Sequence, residues 1–233
     1  GFTADKTKID SLASNVSYLS AEKVIEENAA DLEQYGLSKP IEITVKYDGG
    51  SKTLELGNLT STKDAFYIKE KGSNKVYTIS SYTGDALKAD KNTLRDKTLY
   101  AVKPDEILAL SMSKGSNLVF SAKKAEDNQW LLTAPIEGNA DLSKIGPILE
   151  ALGQNAAYQS FVEEKPADLD KYGLKNPAYS LEFETAAGKN KLLIGTEKEK
   201  GKEIYAKLAN KNEVVTVNEA SLNFLDKPLK EIM

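Results

Sequence analysis

Cysteine and histidine are both absent from the 233 residues. Without cysteine, this stretch has no disulfide, no thiol nucleophile, no thiolate zinc site and no lipidated cysteine. Without histidine, the usual general base near neutral pH and the commonest metal ligand are missing. Ser-His-Asp and Cys-His machinery are therefore excluded, and a catalyst would have to use carboxylates, lysine or tyrosine. Arginine is almost absent too: Arg95 is the only one among 31 basic residues. Bidentate recognition of phosphate and guanine favours arginine, so nucleic acid is not an expected partner. No apolar run approaches the ~18 residues of a membrane span, and no signal-peptide pattern is present. No dense basic block marks an anionic lipid surface. Dinucleotide, Walker, His-Glu-x-x-His and Gly-x-Ser-x-Gly patterns are missing, and no cofactor is expected.

What remains is an ordinary globular composition. Hydrophobic residues make up 40%, charged residues 28%, and the net charge is −4. The length suits one large domain or two small ones, with a core that needs no staples. One phrase is spelled twice. ADLEQYGLSKP at 30–40 and ADLDKYGLKNP at 167–177 share seven of eleven positions.

The likeness extends to both sides of the phrase. Ile9, Leu12, Val16 and Leu19 recur at helical spacing over 4–19. Residues 141–152 do the same, with Ile9, Leu12 and Val16 falling on Ile145, Ile148 and Leu152. Short strands KVIEE (23–27) and SFVEE (160–164) follow the helices. After each phrase comes a β-meander. Ile41, Ile43, Val45 and Tyr47 alternate with polar residues, and DGGS at 48–51 reads as a hairpin turn. Strands at 52–57, 65–69 and 75–79 have counterparts at 190–195, 203–208 and 213–217, with 179–184 matching the first strand. Each copy then closes on a helix and a tag, DKTL at 96–99 and DKPL at 226–229, the second helix being the shorter. Between the copies, 106–135 reads as three strands with turns at 114–117 and 126–128.

The expected fold is therefore α+β. Two tandem repeats, 1–100 and 101–233, each carry a helix, a short strand, the YGL turn, a four-stranded antiparallel meander and a closing helix. The element at 106–135 leads the second repeat. The chain opens on Gly1-Phe2 without an initiator Met, which reads as trimmed, with the first repeat's own leading element and an anchor upstream.

The phrase has a structural logic. Asp31 can cap one helical turn by accepting from the N–H of Gln34, whose side chain reaches back. Gly36 then takes a left-handed backbone at C′, Leu37 folds onto Leu32, and Pro40 stops the helix. Asp168, Leu169, Gly173, Leu174 and Pro177 repeat this, with Lys171 replacing Gln34. Tyr35 and Tyr172 are expected to pack against the meanders rather than hold a ligand.

The candidate chemistry is thin. Glu26-Glu27 and Glu163-Glu164 recur, but neighbours on a strand point to opposite faces, so neither pair is a convergent dyad. They read as solvated strand ends. Residues 85–96 are rich in oxygen ligands without calcium-loop spacing, and read as a helix and its exit. KEKGKE at 198–203 reads as a solvated hairpin, and Trp130 as core.

ADLEQYGLSKP with its downstream LELG, VYTI and LRDKTL resembles the bacterial family catalogued as domain of unknown function 4340. ADLDKYGLKNP, LLIG, VVTV and DKPL resemble it again, as does the Trp130-to-Pro135 stretch. The resemblance implies an extracytoplasmic protein of the cell envelope, held by an N-terminal anchor or lipoprotein signal that this chain lacks. Some members resemble the auxiliary subunit of gliding-motility-type ABC transporters. The family supplies no catalytic residues. The expected function is thus a non-catalytic, partner-binding accessory to an ABC-type transporter, contacting a permease or cell-wall polymer. A carboxylate-based glycan hydrolase and a solute-binding module with its ligand between the repeats are the alternatives. Tyr67, Tyr77 and Tyr205 are candidates for the contact surface.

Overall fold

Residues 2–227 and 229–231 are described by a computed structural model. The chain divides into two compact units, 1–96 and 97–233. The class is α+β. Among the described residues, three α-helices accompany a five-stranded and a nine-stranded antiparallel sheet.

The first unit opens with α1 (Lys6–Ser17), whose N-cap Asp5 accepts from the N–H groups of Thr7 and Lys8. Strands β1 (Lys23–Glu26), β2 (Ile41–Tyr47), β3 (Gly50–Leu59), β4 (Ala65–Glu70) and β5 (Val76–Ser80) follow, then α2 (Ser81–Leu87). The sheet order is β1-β5-β4-β3-β2, which leaves β2 at an edge. Leu56, Phe66, Ile68, Ile79 and Leu87 form the core on one sheet face, with Leu12 and Val16 packed against it. Ile9 does not join them and stays 39% exposed. The expected three-residue stripe thus covers the sheet through two residues. Residues 85–96 are helical only as far as Leu87. Beyond it Asp90 accepts from the Thr93 N–H at 2.7 Å and shapes a turn.

The second unit places β6 (Ala109–Lys114), β7 (Asn117–Lys124), β8 (Trp130–Ala134) and a two-residue β9 (Gly138–Asn139) before α3 (Leu142–Gln154). Four strands, not three, thus lead this unit. After α3 come β10 (Ser160–Glu163), β11 (Tyr179–Thr185), β12 (Gly188–Glu199), β13 (Glu203–Leu208) and β14 (Val214–Asn218). Their order is β10-β14-β13-β12-β11, and β11 continues onto β6-β7-β8-β9. Trp130, Ile145, Ile148 and Leu152 sit in one large core with Leu181 and Phe183, so Trp130 is core as expected. Leu99, the last residue of the DKTL phrase expected to close the first repeat, and Tyr100 are in it too. The Tyr100 hydroxyl donates to the Leu152 carbonyl at 2.8 Å. The closing helix is reduced to a 3-10 turn at Ala220–Leu222. The second DKPL phrase lies partly outside the described residues.

The YGL phrase folds into the helix-ending turn its spelling implies. Gly36 N–H donates to the Glu33 carbonyl, and Leu37 N–H to the Leu32 carbonyl, both at 2.9 Å. Gly173 and Leu174 repeat the two bonds onto Asp170 and Leu169. Gly36 and Gly173 have φ of 71° and 66°. The capping differs from expectation. Asp31 accepts from the Glu33 N–H at 2.9 Å, and the Gln34 amide donates to the Asp31 carbonyl at 3.2 Å. The segment is too short for an α-turn, so the carboxylate satisfies the nearest free N–H. Valine at position 36 or 173 should cost about 1–3 kcal/mol, because a β-branched residue resists a left-handed backbone. Melting of Gly36→Val and Gly173→Val checks this, and unchanged midpoints would rule the turn assignment out.

Candidate functional site

The doubled phrase is where sequence and chemistry come closest, and its geometry is structural first. The Tyr35 carbonyl accepts the Asn58 N–H at 2.8 Å. That carbonyl lies against Gly57, where an added Cβ would stand 2.2 Å from it. The Tyr172 carbonyl lies against Gly195 in the same way, at 2.0 Å. A strand glycine thus lets each turn sit directly on the sheet.

The rings lock the turn from the other side. Tyr35 packs on Tyr67 with centroids 4.8 Å apart, and its hydroxyl donates to Glu26 at 2.8 Å. Tyr172 packs on Tyr205 at 4.9 Å and donates to Glu163 at 2.6 Å. The hydrogen bond to the carboxylate pushes each hydroxyl's pKa up, so both tyrosines stay protonated donors. Leu32 and Leu37 pack beneath the first turn with Val76, and Leu169 and Leu174 beneath the second with Val214. Glu26 and Glu163 are therefore not solvated strand ends. Their side chains lie on the same face as the tyrosine, and a half-buried hydroxyl finds the acceptor in reach. Glu27 pairs with Lys75 at 2.9 Å, and Glu164 is exposed.

Tyr67, Tyr77 and Tyr205 are half-buried. Tyr67 and Tyr205 are held by the phrase tyrosines, and Tyr77 packs toward the first unit's core. The exposed aromatic surface of this unit is elsewhere. Tyr18, at the end of α1, is 87% exposed, and Tyr82, in the first turn of α2, is 80% exposed.

Two buried lysines escaped the sequence reading. Lys69 on β4 lies opposite Glu55 on β3 and ion-pairs with it, both buried. Lys207 on β13 lies opposite Leu193 on β12. Its ammonium donates instead to the carbonyls of Leu208, at 2.9 Å, and Lys211. Burial pulls its pKa down. A lysine on an alternating strand looks solvated in sequence, and only strand register could have exposed the pair.

Three carboxylates of the second unit, Asp226, Glu219 and Glu203, accept hydrogen bonds. A depression of about 700 Å³ includes Tyr179, Glu219 and Asp226 in its lining. Asp226 accepts from the Tyr179 hydroxyl and from Lys114 at 2.9 Å, and these bonds hold its carboxyl below the usual range. Glu219 accepts the Gly201 N–H at 2.9 Å. Away from this depression, burial works to raise the pKa of Glu203, but donors prevail and lower it. Lys198 at 2.9 Å and Thr216 at 2.8 Å lead them. Carboxylates held ionised, as Asp226 and Glu203 are, are poor general acids. KEKGKE is a hairpin solvated over 198–202, with Lys202 on Glu199, but Glu203 at its end is half-buried and takes Lys198 and Thr216, because its side chain turns back toward β14. Among the described residues, no cluster of three metal-ligating side chains occurs, and no helix is long and apolar enough to cross a membrane.

Comparison with curated proteins and with solved structures finds no match. A family profile does match, twice, over residues 1–177 and 130–233. The two overlapping segments fit a sequence that says the same thing twice. Between them they span the chain, which therefore belongs to the family described as domain of unknown function DUF4340.

Proposed function

We propose that this chain is a non-catalytic, partner-binding domain of an extracytoplasmic envelope protein, an accessory to an ABC-type transporter, built as two copies of one α+β unit. The duplication is supported by the two profile matches and by the doubled turn, with its glycine, tyrosine and glutamate in matching places. The matching strand orders of the two meanders support it as well.

The observation that carries the binding role is the contrast between aromatic exposure and carboxylate engagement. Tyr18 and Tyr82 stand almost fully in solvent on the helical layer of the first unit. Large exposed rings belong to contact surfaces, where their area is covered at little cost in side-chain entropy. Asp226 and Glu203 are meanwhile held ionised by lysine, tyrosine and threonine donors. The partner that fits the family resemblance is a permease segment or cell-wall polymer at the outer face of the membrane.

Fractionation of the natural full-length protein should place it with the membrane and open to external protease. Crosslinking from position 18 or 82 should capture the permease or wall polymer, and Tyr18→Glu with Tyr82→Glu should abolish capture. A cytoplasmic location would sink the envelope reading. Glycan turnover that vanishes on Glu27→Gln or Glu164→Gln would sink the non-catalytic one.

A further inference from the structure

Tyr18 and Tyr82 share one corner of the first unit. Tyr18 is the C-cap of α1, and Tyr82 lies just past Ser80, the N-cap of α2. The Glu22 N–H donates to the Thr78 carbonyl at 2.8 Å, so the chain leaving α1 runs back against the end of β5, where α2 starts. The second unit shows such a corner closed. Asn155, the C-cap of α3, donates to Ser221 Oγ at 2.7 Å and accepts the Asn218 N–H at 2.8 Å, and it is fully buried. Ser80 and Asn218 each end the last meander strand, so Tyr18 stands in the place of Asn155, Tyr82 in that of Ala220 and Thr83 in that of Ser221. The first unit thus has an exposed ring where the second has a closing amide. A leading element such as β6–β9 leaves these places open. In the second unit, which has one, Ala220 and Gln154 beside Asn155 are exposed.

The surroundings of the two rings carry no charge. Residues 11–21, SLASNVSYLSA, and 76–84, VYTISSYTG, contain no charged residue in a chain that is 28% charged. Asp10, Lys75 and Asp85, at three of the four ends of these runs, are already paired, with Lys6, Glu27 and Lys88. Leu12 and Val16 turn one face of α1 to the core, which leaves Ser11, Ser14, Ser17 and Tyr18 on the other, all exposed. The corner therefore offers flat rings bordered by hydroxyls. The geometry points to a neutral glycan as its occupant: a chain of β-linked pyranose rings without carboxylate, sulfate or phosphate. Such rings present C–H groups on flat faces, which stack on an aromatic ring, and hydroxyls at the rim, which exchange hydrogen bonds with serine. A protein segment would be fixed in register by charges at the rim, and this rim has none to offer. The inference rests on the partner-binding reading of this surface and chooses the wall polymer over the permease segment.

Titration of the whole chain with cellohexaose and with chitohexaose, followed by NMR, tests this. Binding of at least one is expected, with a dissociation constant below about 10 mM, because stacking on two rings with a few hydrogen bonds supports only weak association. Tyr18→Ala and Tyr82→Ala should each weaken it at least about tenfold, the effect of losing an aromatic anchor. Both side chains stand in solvent, so the fold should be kept, and unchanged spectra away from the corner check that. Tyr18→Phe and Tyr82→Phe keep the rings and should stay within about twofold of the parent. Tyr47→Ala, which removes an exposed ring on β2, should change nothing. Absence of binding to both sugars, or binding that survives Tyr18→Ala and Tyr82→Ala, overturns the proposal. So does a permease segment crosslinked from position 18 or 82 in the natural protein that neither sugar displaces. That result leaves the partner-binding reading standing, whereas a cytoplasmic location sinks the envelope reading whatever the corner binds.

Discussion

Gly195→Ala is expected to lower the stability of the second unit by about 3 kcal/mol, the upper end for overpacking a fixed site. The Cβ would lie 2.0 Å from the Tyr172 carbonyl oxygen and 3.1 Å from Leu174 Cγ. The obstacle is backbone, which cannot rotate away as a side chain can. To admit the methyl, the turn must lift from β12. Tyr172 then loses its contact with Tyr205, and Leu174 its place beside Val214. Gly57→Ala should act alike on the first unit, where the lift also strains the bond from Asn58 N–H to the Tyr35 carbonyl. Gly138→Ala is the control. It lies on β9 with no left-handed backbone and nothing within 4 Å of its added Cβ, so alanine there should change stability by no more than about 0.5 kcal/mol. Denaturant titrations of the three variants make the comparison. Equal behaviour of Gly195→Ala and Gly138→Ala would mean that the turn is not seated on the strand.

Lys69→Met should cost about 3–5 kcal/mol, because it leaves Glu55 buried without its counter-ion. Removing both charges should be far milder. Lys69→Met with Glu55→Leu replaces an ion pair by packing of similar volume, which is often neutral or better. The second unit already has leucine at the facing position: Leu193 lies opposite Lys207, whose ammonium is satisfied by two backbone carbonyls instead. The double variant should therefore recover most of the midpoint lost in the single one. If single and double variants unfold together, the pair carries no coupling and the burial of Glu55 is not what makes Lys69 necessary.

Much of this was legible in the residues. The turn could be read because its causes are local. A glycine that must go left-handed, a leucine two places from the helix end and a proline that halts the chain act over a few residues. The meander strands could be read from alternation, and β13 falls at the limits expected for it. The closing turn of the second unit was misjudged, because a short apolar segment after a strand gives no period long enough to separate a helix from a 3-10 turn. Ile9 was misjudged for another reason. Helical spacing names a face, but the sheet beneath α1 decides how much of that face it covers.

By itself, then, the sequence determined the α+β class, the doubled turn and the exclusion of histidine and cysteine chemistry, all of which depend on residue type and short-range geometry. Only the tertiary structure decided that Glu26 and Glu163 serve the phrase tyrosines, that Lys69 meets Glu55, that Gly57 and Gly195 lie under carbonyl groups, and that β2 is an edge where β11 is not. Each is a meeting of residues on different elements, which no local pattern specifies. A strand's pattern gives its two faces, but its neighbours are set by how the sheet closes around the core.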